Sequence, residues 1–267
     1  MNSPALKEKL NRLTDIIKAY PAVAVAFSGG VDSTFLLKFA HGISKDKVTA
    51  VTAVAPNFSP DEIAAAIGFC SGEGIRHVLV DLGDSFLETF ADNPENRCYL
   101  CKKSIFTKLL SHPGLAGMVF TDGSNKDDSF DFRPGEKALS ELGIKSPLLE
   151  AGLTKEEIRY ASKEIGLAAW DKPALACLAS RIPYGEKVTA EKLTAIYSLE
   201  KALHEAGFSQ VRVRHHGDVA RIEVLPGERE KFFDTILMDN INDAAKKAGF
   251  TYAALDLSGY KMGNMNK

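Results

Sequence analysis

One stretch limits what this chain can fold into more than any other: Val23-Ala24-Val25-Ala26-Phe27, then Ser28-Gly29-Gly30, then Val31-Asp32-Ser33-Thr34-Phe35-Leu36-Leu37. The apolar run has the length and composition of a buried parallel strand. The apolar positions beyond the glycines read as the start of a helix. Two glycines open backbone dihedrals closed to other residues and let a ligand approach the main chain. The N–H groups at the helix start then face an anion, and the helix dipole adds to the attraction. Ser28, Ser33 and Thr34 can add hydroxyl donors. This is not the Walker pattern, which needs Gly-Lys-Ser/Thr. An ordinary glycine-rich strand–helix turn is the alternative.

Strand and helix alternate around this stretch. Residues 3–20 carry Leu6, Leu10, Leu13 and Ile17 on one helical stripe. A helix is expected from the glycine turn to about His41, and strands over Val48–Val54, Val78–Leu82 and Leu115–Thr121. Ser59-Pro60-Asp61-Glu62 and Thr154-Lys155-Glu156-Glu157 are capping-box helix starts, the second with Leu153 and Ile158 placed as a hydrophobic staple. The alternation predicts a parallel sheet with helices on both faces. Ligands bind beyond the carboxyl ends of the strands in such sheets. The glycine turn, the region after Val54 and Asp122-Gly123-Ser124-Asn125 should therefore border one crevice.

Trp170–Lys187 has no helical or strand period, and such segments are more often functional than idle. The pattern changes after Gly185, which divides the chain into residues 1–184 and a small α+β domain, 185–267. In the latter, Thr189 caps a helix to about Ala206. Gln210–His216 and Val219–Leu225 alternate as half-buried strands, and a helix over 228–248 and a strand near Tyr252–Leu257 follow. The last residues, Gly263–Lys267, are expected to fray.

With 267 residues, 45% hydrophobic and 25% charged, the chain is long enough for a sizeable core and has ordinary globular composition. A net charge of −2 gives no global pull toward nucleic acid. No apolar run approaches the ~20 residues of a membrane span. Met1–Tyr20 lacks the apolar block of a signal peptide. A cytoplasmic protein with reduced cysteines is expected.

Gly217-Asp218 joins the two alternating strands and suits a type II′ hairpin. A two-residue turn there puts Arg212 opposite Glu223 and Arg214 opposite Arg221, all on one face, while Val211, Val213, Ile222 and Val224 point into the core. Like charges directly opposite are unfavourable, so Arg214 and Arg221 make sense with an anion between or near them. Phosphate matches guanidinium forks. The alternative is a solvated basic face with Arg212–Glu223 as a surface pair.

Four cysteines are present, and their positions do not suggest a disulfide framework. Cys98-Tyr99-Leu100-Cys101 puts two sulfurs on one side of a helical turn, open to zinc, redox or iron–sulfur roles. Cys177 lies far away in sequence. Lys172 and Arg181 near it would favour the reactive thiolate. Three cysteines converging would suit a [4Fe-4S] cluster with one iron open. Cys70, on an apolar helix face, reads as core.

Ser28-Gly29-Gly30-Val31-Asp32-Ser33 resembles the PP-loop of ATP pyrophosphatases, which split ATP into AMP and pyrophosphate and activate a substrate oxygen as an adenylate. In order along the chain follow Arg133-Pro134-Gly135, Ser146-Pro147-Leu148, Lys172-Pro173, Cys177-Leu178-Ala179-Ser180-Arg181, Arg212-Val213-Arg214 and Ala220-Arg221-Ile222-Glu223. Together they resemble the ATP-dependent sacrificial sulfur transferases of the LarE type, which serve biosynthesis of the nickel-pincer cofactor of lactate racemase. The resemblance implies a PP-loop fold (adenine nucleotide alpha hydrolase-like) and a pyridinium biscarboxylate mononucleotide substrate. ATP adenylates its carboxylate with Mg²⁺ assisting, Asp32 being one candidate for holding the ion, and sulfur from the position of Cys177 gives a thiocarboxylate. It implies ATP binding by Ser28, Gly29, Gly30, Asp32 and Ser33. Arg212 and Arg214 would hold the substrate phosphate, with Arg181 near the reacting group. Cys98 and Cys101 set this chain apart from one-cysteine members. They are similar to a three-cysteine subgroup in which Cys98, Cys101 and Cys177 would hold a [4Fe-4S] cluster carrying an extra sulfide. The family implies a homo-oligomer, a hexamer among the possible assemblies, with no nucleic-acid or membrane partner.

Three other activities fit parts of the pattern. A tRNA-thiolating PP-loop enzyme needs a broad basic surface, which the composition does not supply. An amide-forming ligase of the NAD or GMP synthetase kind leaves the three cysteines without a task. A carrier of sulfur or metal would bind nucleotide without turnover.

Overall fold

Residue patterning and local turn chemistry account for the parallel sheet. In the computed structural model, β1 (Val23–Ala26), β2 (Val48–Val54), β3 (Arg76–Asp81) and β4 (Val119–Thr121) are all parallel, in the order β3-β2-β1-β4. The structure is described for residues 4–130, 134–172 and 177–261. Arg133, residues 173–176 and the tail 262–267 lie outside the described residues, as do the side chains at 84, 129, 130 and 134. β1 and β2 are apolar because both faces are covered; Val23, Val25, Val48 and Ala50 are buried. The strand order reverses direction between β1 and β4, so their carboxyl ends flank the crevice where such sheets bind ligands.

The helices α1 (Pro4–Ala19), α2 (Val31–Ser44), α3 (Pro60–Glu73), α4 (Arg97–Leu110), α5 (Pro134–Glu141), α6 (Pro147–Glu150) and α7 (Lys155–Glu164) belong to this part of the chain. Leu13 and Ile17 of α1, Phe35, Leu36 and Leu37 of α2, and Leu153 and Ile158 beside α7 share one core with β1 and β2. The capping box at Thr154 is closed from both sides, Thr154 accepting from the Glu157 N–H and Glu157 from the Thr154 N–H. Burying Leu153 and Ile158 completely adds the expected staple contacts. The fourth strand is shorter than expected. Pro113–Leu115 makes a 3-10 turn and Gly117 takes a left-handed φ of 78°, so pairing begins only at Val119.

The chain forms two compact units. One comprises Met1–Ala55, Pro60–Thr89 and Asn96–Leu175; the other comprises Pro56–Ser59, Phe90–Glu95 and Ala176–Lys267. Against an expected division at 185, Cys177 and Arg181 thus belong with the C-terminal module. The cause is tertiary bonding: the buried Asn93 amide donates to the carbonyls of Ile182 and Pro183, and Val188 N–H donates to Ala91.

In this second unit α8 (Ala190–Glu205) starts on the Thr189 cap, as expected. β5 (Val211–His216) and β6 (Val219–Val224) pair antiparallel in the anticipated register, with Gly217 at φ 58°. β7 (Tyr252–Leu255) joins β6 in parallel. The long helix expected over 228–248 is broken: a 3-10 segment, Pro226–Phe233, precedes α9 (Thr235–Lys247). Asp234 is the reason, because its carboxylate accepts from the Ile236 and Leu237 N–H groups and starts a new helix. No helix among the described residues is long and apolar enough to cross a membrane.

Candidate functional site

The glycine turn leaves β1 under tight control. Phe27 N–H donates to Val51, and Thr52 Oγ1 donates to the Phe27 carbonyl at 2.7 Å. His77 Nε2 lies 2.8 Å from Thr52 Oγ1 and, because that hydroxyl's proton is spent on Phe27, acts as the donor. Gly29 then takes φ 75°, which an L-residue rarely adopts, and Gly30 is the extended N-cap of α2. No side chain caps α2. Ser28 and Ser33 face each other across the turn, their hydroxyls 3.2 Å apart, and Thr34 Oγ1 donates to Gly30. Main-chain N–H groups, a helix dipole and hydroxyls thus converge as an anion cradle. Ser28, Gly29, Gly30, Asp32 and Ser33 all sit in this one turn.

The turn after β4 closes on the same helix start. A Cβ added at Gly123 would lie 3.0 Å from Ser33 N and 3.2 Å from Asp32 Cβ, so any larger residue would have to push the helix start back by a few tenths of an ångström. Asp122 is locked beneath it, accepting from Ser146 Oγ at 2.7 Å and from Ser124 Oγ. The backbone beyond is tied down by its own acids: Asp128 accepts from Asn125 N–H and Asp127 from Lys155 N–H. Lys155 at the start of α7 in turn bonds Asp32. Burial raises the Asp32 carboxyl above its ordinary range, although Lys155 and Arg159 pull the other way. The expected pairing of the glycine turn with Asp122–Asn125 is observed. The close approach of Gly123 to the start of α2 and the reach of Lys155 to Asp32 were not anticipated. A glycine directly after a strand-ending Asp was the available signal for one, whereas Lys155 read only as part of a helix cap.

The second cluster lies in the other unit. Cys177 is exposed at the head of a 3-10 turn, Leu178–Arg181. The fully buried Asn57 donates its amide to the sulfur at 3.4 Å, and its carbonyl accepts from Leu178 N–H. Arg181 is 3% exposed and forms a bidentate pair with Glu200, both bonds 2.9 Å. Another Arg181 nitrogen donates to the Cys177 carbonyl, not to the sulfur, at 3.0 Å. Glu200 also accepts from Val213 N–H, which fixes β5 against α8.

The hairpin departs from expectation in one respect. Arg214 does stand opposite Arg221, but the anion between them is the protein's own Glu223. This fully buried carboxylate takes Arg214 through Oε2 at 2.8 Å and Arg221 through Oε1 at 3.1 Å. Asp256 takes Arg221 as well, and Arg214 reaches the Ser180 carbonyl. Arg212 lies over the Tyr260 ring and donates to Val211 O. The face is therefore buried, not solvated; the alternation could not show that a second layer covers it. Burial, with Arg181 close by, pulls the Arg212 guanidinium below its ordinary value. Arg181, Arg212, Arg214 and Arg221 together face Glu200, Glu223 and Asp256, so positive charge is in excess.

Cys98 and Cys101 lie in the first two turns of α4, in the first unit, and none of the four cysteines forms a disulfide. Residues three apart on a helix share a face, so this thiol pair suits a metal or cluster. Among the described residues no three of His, Cys, Asp or Glu are gathered in one metal-sized group. Cys70 is buried as expected, and burial pushes its thiol up to about 11.

No protein-family model matches the chain. It is 37% identical over 268 residues, covering 98% of this chain and 95% of the other, to pyridinium-3,5-bisthiocarboxylic acid mononucleotide synthase of Lactiplantibacillus plantarum. It is 38% identical over 263 residues, 98% of both chains, to an uncharacterized protein of Synechocystis sp.. A third relative, an uncharacterized protein of Methanocaldococcus jannaschii, is 28% identical over 203 residues, 76% of this chain and 77% of the other.

Proposed function

Because this chain belongs to the pyridinium-3,5-bisthiocarboxylic acid mononucleotide synthase family, we propose that it is an ATP-dependent sulfur transferase acting on pyridinium biscarboxylate mononucleotide. The carrying observation is identity along nearly the whole of both chains. The product is a thiocarboxylate on the route to a nickel-pincer cofactor.

The reaction has two halves. A substrate carboxylate oxygen attacks the α-phosphorus of ATP, and the bond to the bridging oxygen breaks to release pyrophosphate. Adenylation turns a poor leaving oxygen into AMP. A sulfur nucleophile then bonds to the carboxyl carbon as the C–O bond to AMP breaks. Where the sulfur is that of Cys177, its Cβ–Sγ bond breaks next, with loss of the α-proton, to leave dehydroalanine. The turn Ser28–Ser33 supports the first half: uncapped N–H groups at α2 suit phosphates, and Ser28 and Ser33 offer hydroxyls. Asp32, with Mg²⁺, is the proposed metal-facing carboxylate there. Exposure of Cys177, with a buried amide donating to its sulfur, supports its role in the second half. Arg181, Arg212 and Arg214 are proposed to attract the substrate's phosphate and carboxylate; the excess of guanidinium over carboxylate in their cluster supports this. Their existing partners imply that they act chiefly through shared charge and orientation.

Cys98, Cys101 and Cys177 would hold a [4Fe-4S] cluster, which their thiol chemistry and the helical spacing of the first two support. Such a cluster supplies a replaceable sulfide in place of the thiol's own sulfur. A homo-oligomer in the cytoplasm completes the proposal. Thiols outside disulfides support the compartment, and exposed Phe233, Ile236 and Leu257 support association.

Incubation with ATP, Mg²⁺ and the pyridinium substrate tests the reading. Substrate-dependent pyrophosphate release and a thiocarboxylate product by mass spectrometry are expected. Cys177→Ser should keep the first and lose the second by at least a hundredfold. Undiminished thiocarboxylate from Cys177→Ser would remove Cys177 as the position of the sulfur, and an amide formed from ammonia with no thiocarboxylate would favour a ligase of the NAD or GMP synthetase kind.

A further inference from the structure

Asn57 grips the segment that carries Cys177 at two levels. Its carbonyl accepts from the Leu178 N–H at 3.3 Å, and its side-chain amide donates to the Cys177 sulfur at 3.4 Å. The sulfur lies 3.7 Å from the same carbonyl, to which it can donate while it is a thiol. Both residues belong to the second unit, although 120 positions separate them in the chain. Asn57 is fully buried, whereas Cys177 is exposed, so the sulfur is held from the interior while its residue stays accessible. A buried amide is costly unless its N–H finds an acceptor, and a neutral thiol is a weak one. A bond to an ionised acceptor is roughly twice as strong. The amide therefore gains most when the sulfur is an anion. The neighbouring guanidinium does not take this place: Arg181 donates to the Cys177 carbonyl, and among the described residues no other side chain donates to the sulfur.

We propose that Asn57 is a catalytic residue of the sulfur step, its amide N–H donating to the Cys177 sulfur at each stage where that sulfur is charged. This deepens the sulfur-transfer reading above and rests on it. The thiolate is charged before it attacks. A sulfur lone pair forms the bond to the carboxyl carbon, the C–O bond to AMP breaks, and that bond's electron pair leaves with AMP. The sulfur is then neutral, as a thioester. When the Cβ–Sγ bond breaks, its electron pair stays on the sulfur. The α-proton passes to water, and the C–H pair becomes the second Cα–Cβ bond. The sulfur is anionic again, now in the thiocarboxylate. A donor fixed in advance against charge that develops in a reaction lowers the barrier. An amide suits the position because it exchanges no proton with the sulfur and is buried without carrying a charge. A cluster ligand is a thiolate as well, so the same bond serves either source of sulfur.

Peptide mass spectrometry after iodoacetamide treatment tests this on the full-length chain, freed of iron and kept reduced, without ATP or pyridinium substrate. Cys98, exposed in the same chain, is the internal standard. In Asn57→Val, labelling of Cys177 relative to Cys98 at neutral pH is expected to fall by roughly threefold or more, because the sulfur loses the donor that favours its reactive form. Mere loosening of the segment would speed labelling instead. Asn57→Ala serves if the valine variant does not fold. With ATP, Mg²⁺ and the pyridinium substrate, thiocarboxylate formed per pyrophosphate released should fall by roughly tenfold or more in the same variant. A labelling ratio within twofold of the parent's, or a higher one, overturns the assignment, as does an unchanged yield of thiocarboxylate per pyrophosphate. A parent protein that makes no thiocarboxylate counts against the proposed reaction alone and leaves the labelling comparison valid.

Discussion

The turn after β1 and the arginine cluster around β5 both have the character of anion sites, but they are made of different materials. At the turn the donors are main-chain N–H groups and hydroxyls, and the critical residues are those with no side chain, Gly29 and Gly123. Around β5 the donors are guanidiniums, buried with carboxylates that hold them in place. A main-chain site depends on backbone path and is sensitive to a single added carbon. A charged site depends on a balance of partners and is sensitive to removal of any one. The first can be assembled from a short contiguous stretch; the second needs segments far apart in sequence.

Three substitutions sharpen this contrast, and the largest effect is expected in the charged cluster. Glu223→Gln leaves Arg214 and Arg221 without their shared carboxylate in a buried setting, and should cost roughly 3–5 kcal/mol of stability by urea denaturation. A loss under 1 kcal/mol would mean that the cluster is not held by internal pairing. Gly123→Ala comes next. The new methyl must push against the Ser33 N–H and the Asp32 Cβ, so about 1–3 kcal/mol of overpacking falls on the glycine turn. ATP affinity should drop while the hairpin's hydrogen-exchange protection stays unchanged; unaltered affinity would break the assignment of Asp122–Asn125 to the site.

The smallest effect is the most sensitive to pH. Burial alone would raise the Glu157 carboxyl, but Lys9 and the Thr154 backbone outweigh it and hold the group below the usual range. A depressed carboxyl contributes stability that is present above its unfolded value, near ~4.3, and is lost as pH falls through the folded value. Glu157→Gln should therefore cost about 1 kcal/mol at neutral pH, typical of a helix cap. The gap between variant and parent should close as pH drops below that window; a gap independent of pH would assign the effect to shape and not to charge.

Much of the architecture was legible beforehand. β2 spans Val48–Val54 as expected, the Thr154 cap forms, and the hairpin register puts Arg214 opposite Arg221. Errors arose where one residue could act in two ways. Asp234 reads as an ordinary polar helix residue until its side chain is seen to cap a new helix. The segment after Trp170 carries no period, so its division between the two units could not be seen. The resemblance in the cysteine and arginine segments pointed to the family that near-full-length identity then established.

By itself, then, the sequence determined the strand–turn–helix at Ser28–Ser33, the alternation that makes the sheet parallel, and the register of the hairpin. These depend on neighbours along the chain, through backbone sterics, capping and side-chain period. Only the tertiary structure decided that Glu223 lies between two arginines, that Asn57 donates to the Cys177 sulfur, that Gly123 abuts the glycine turn after β1, and that Lys155 reaches Asp32. Each joins segments distant in sequence, and which partner satisfies a buried charge or donor is settled by what packs beside it.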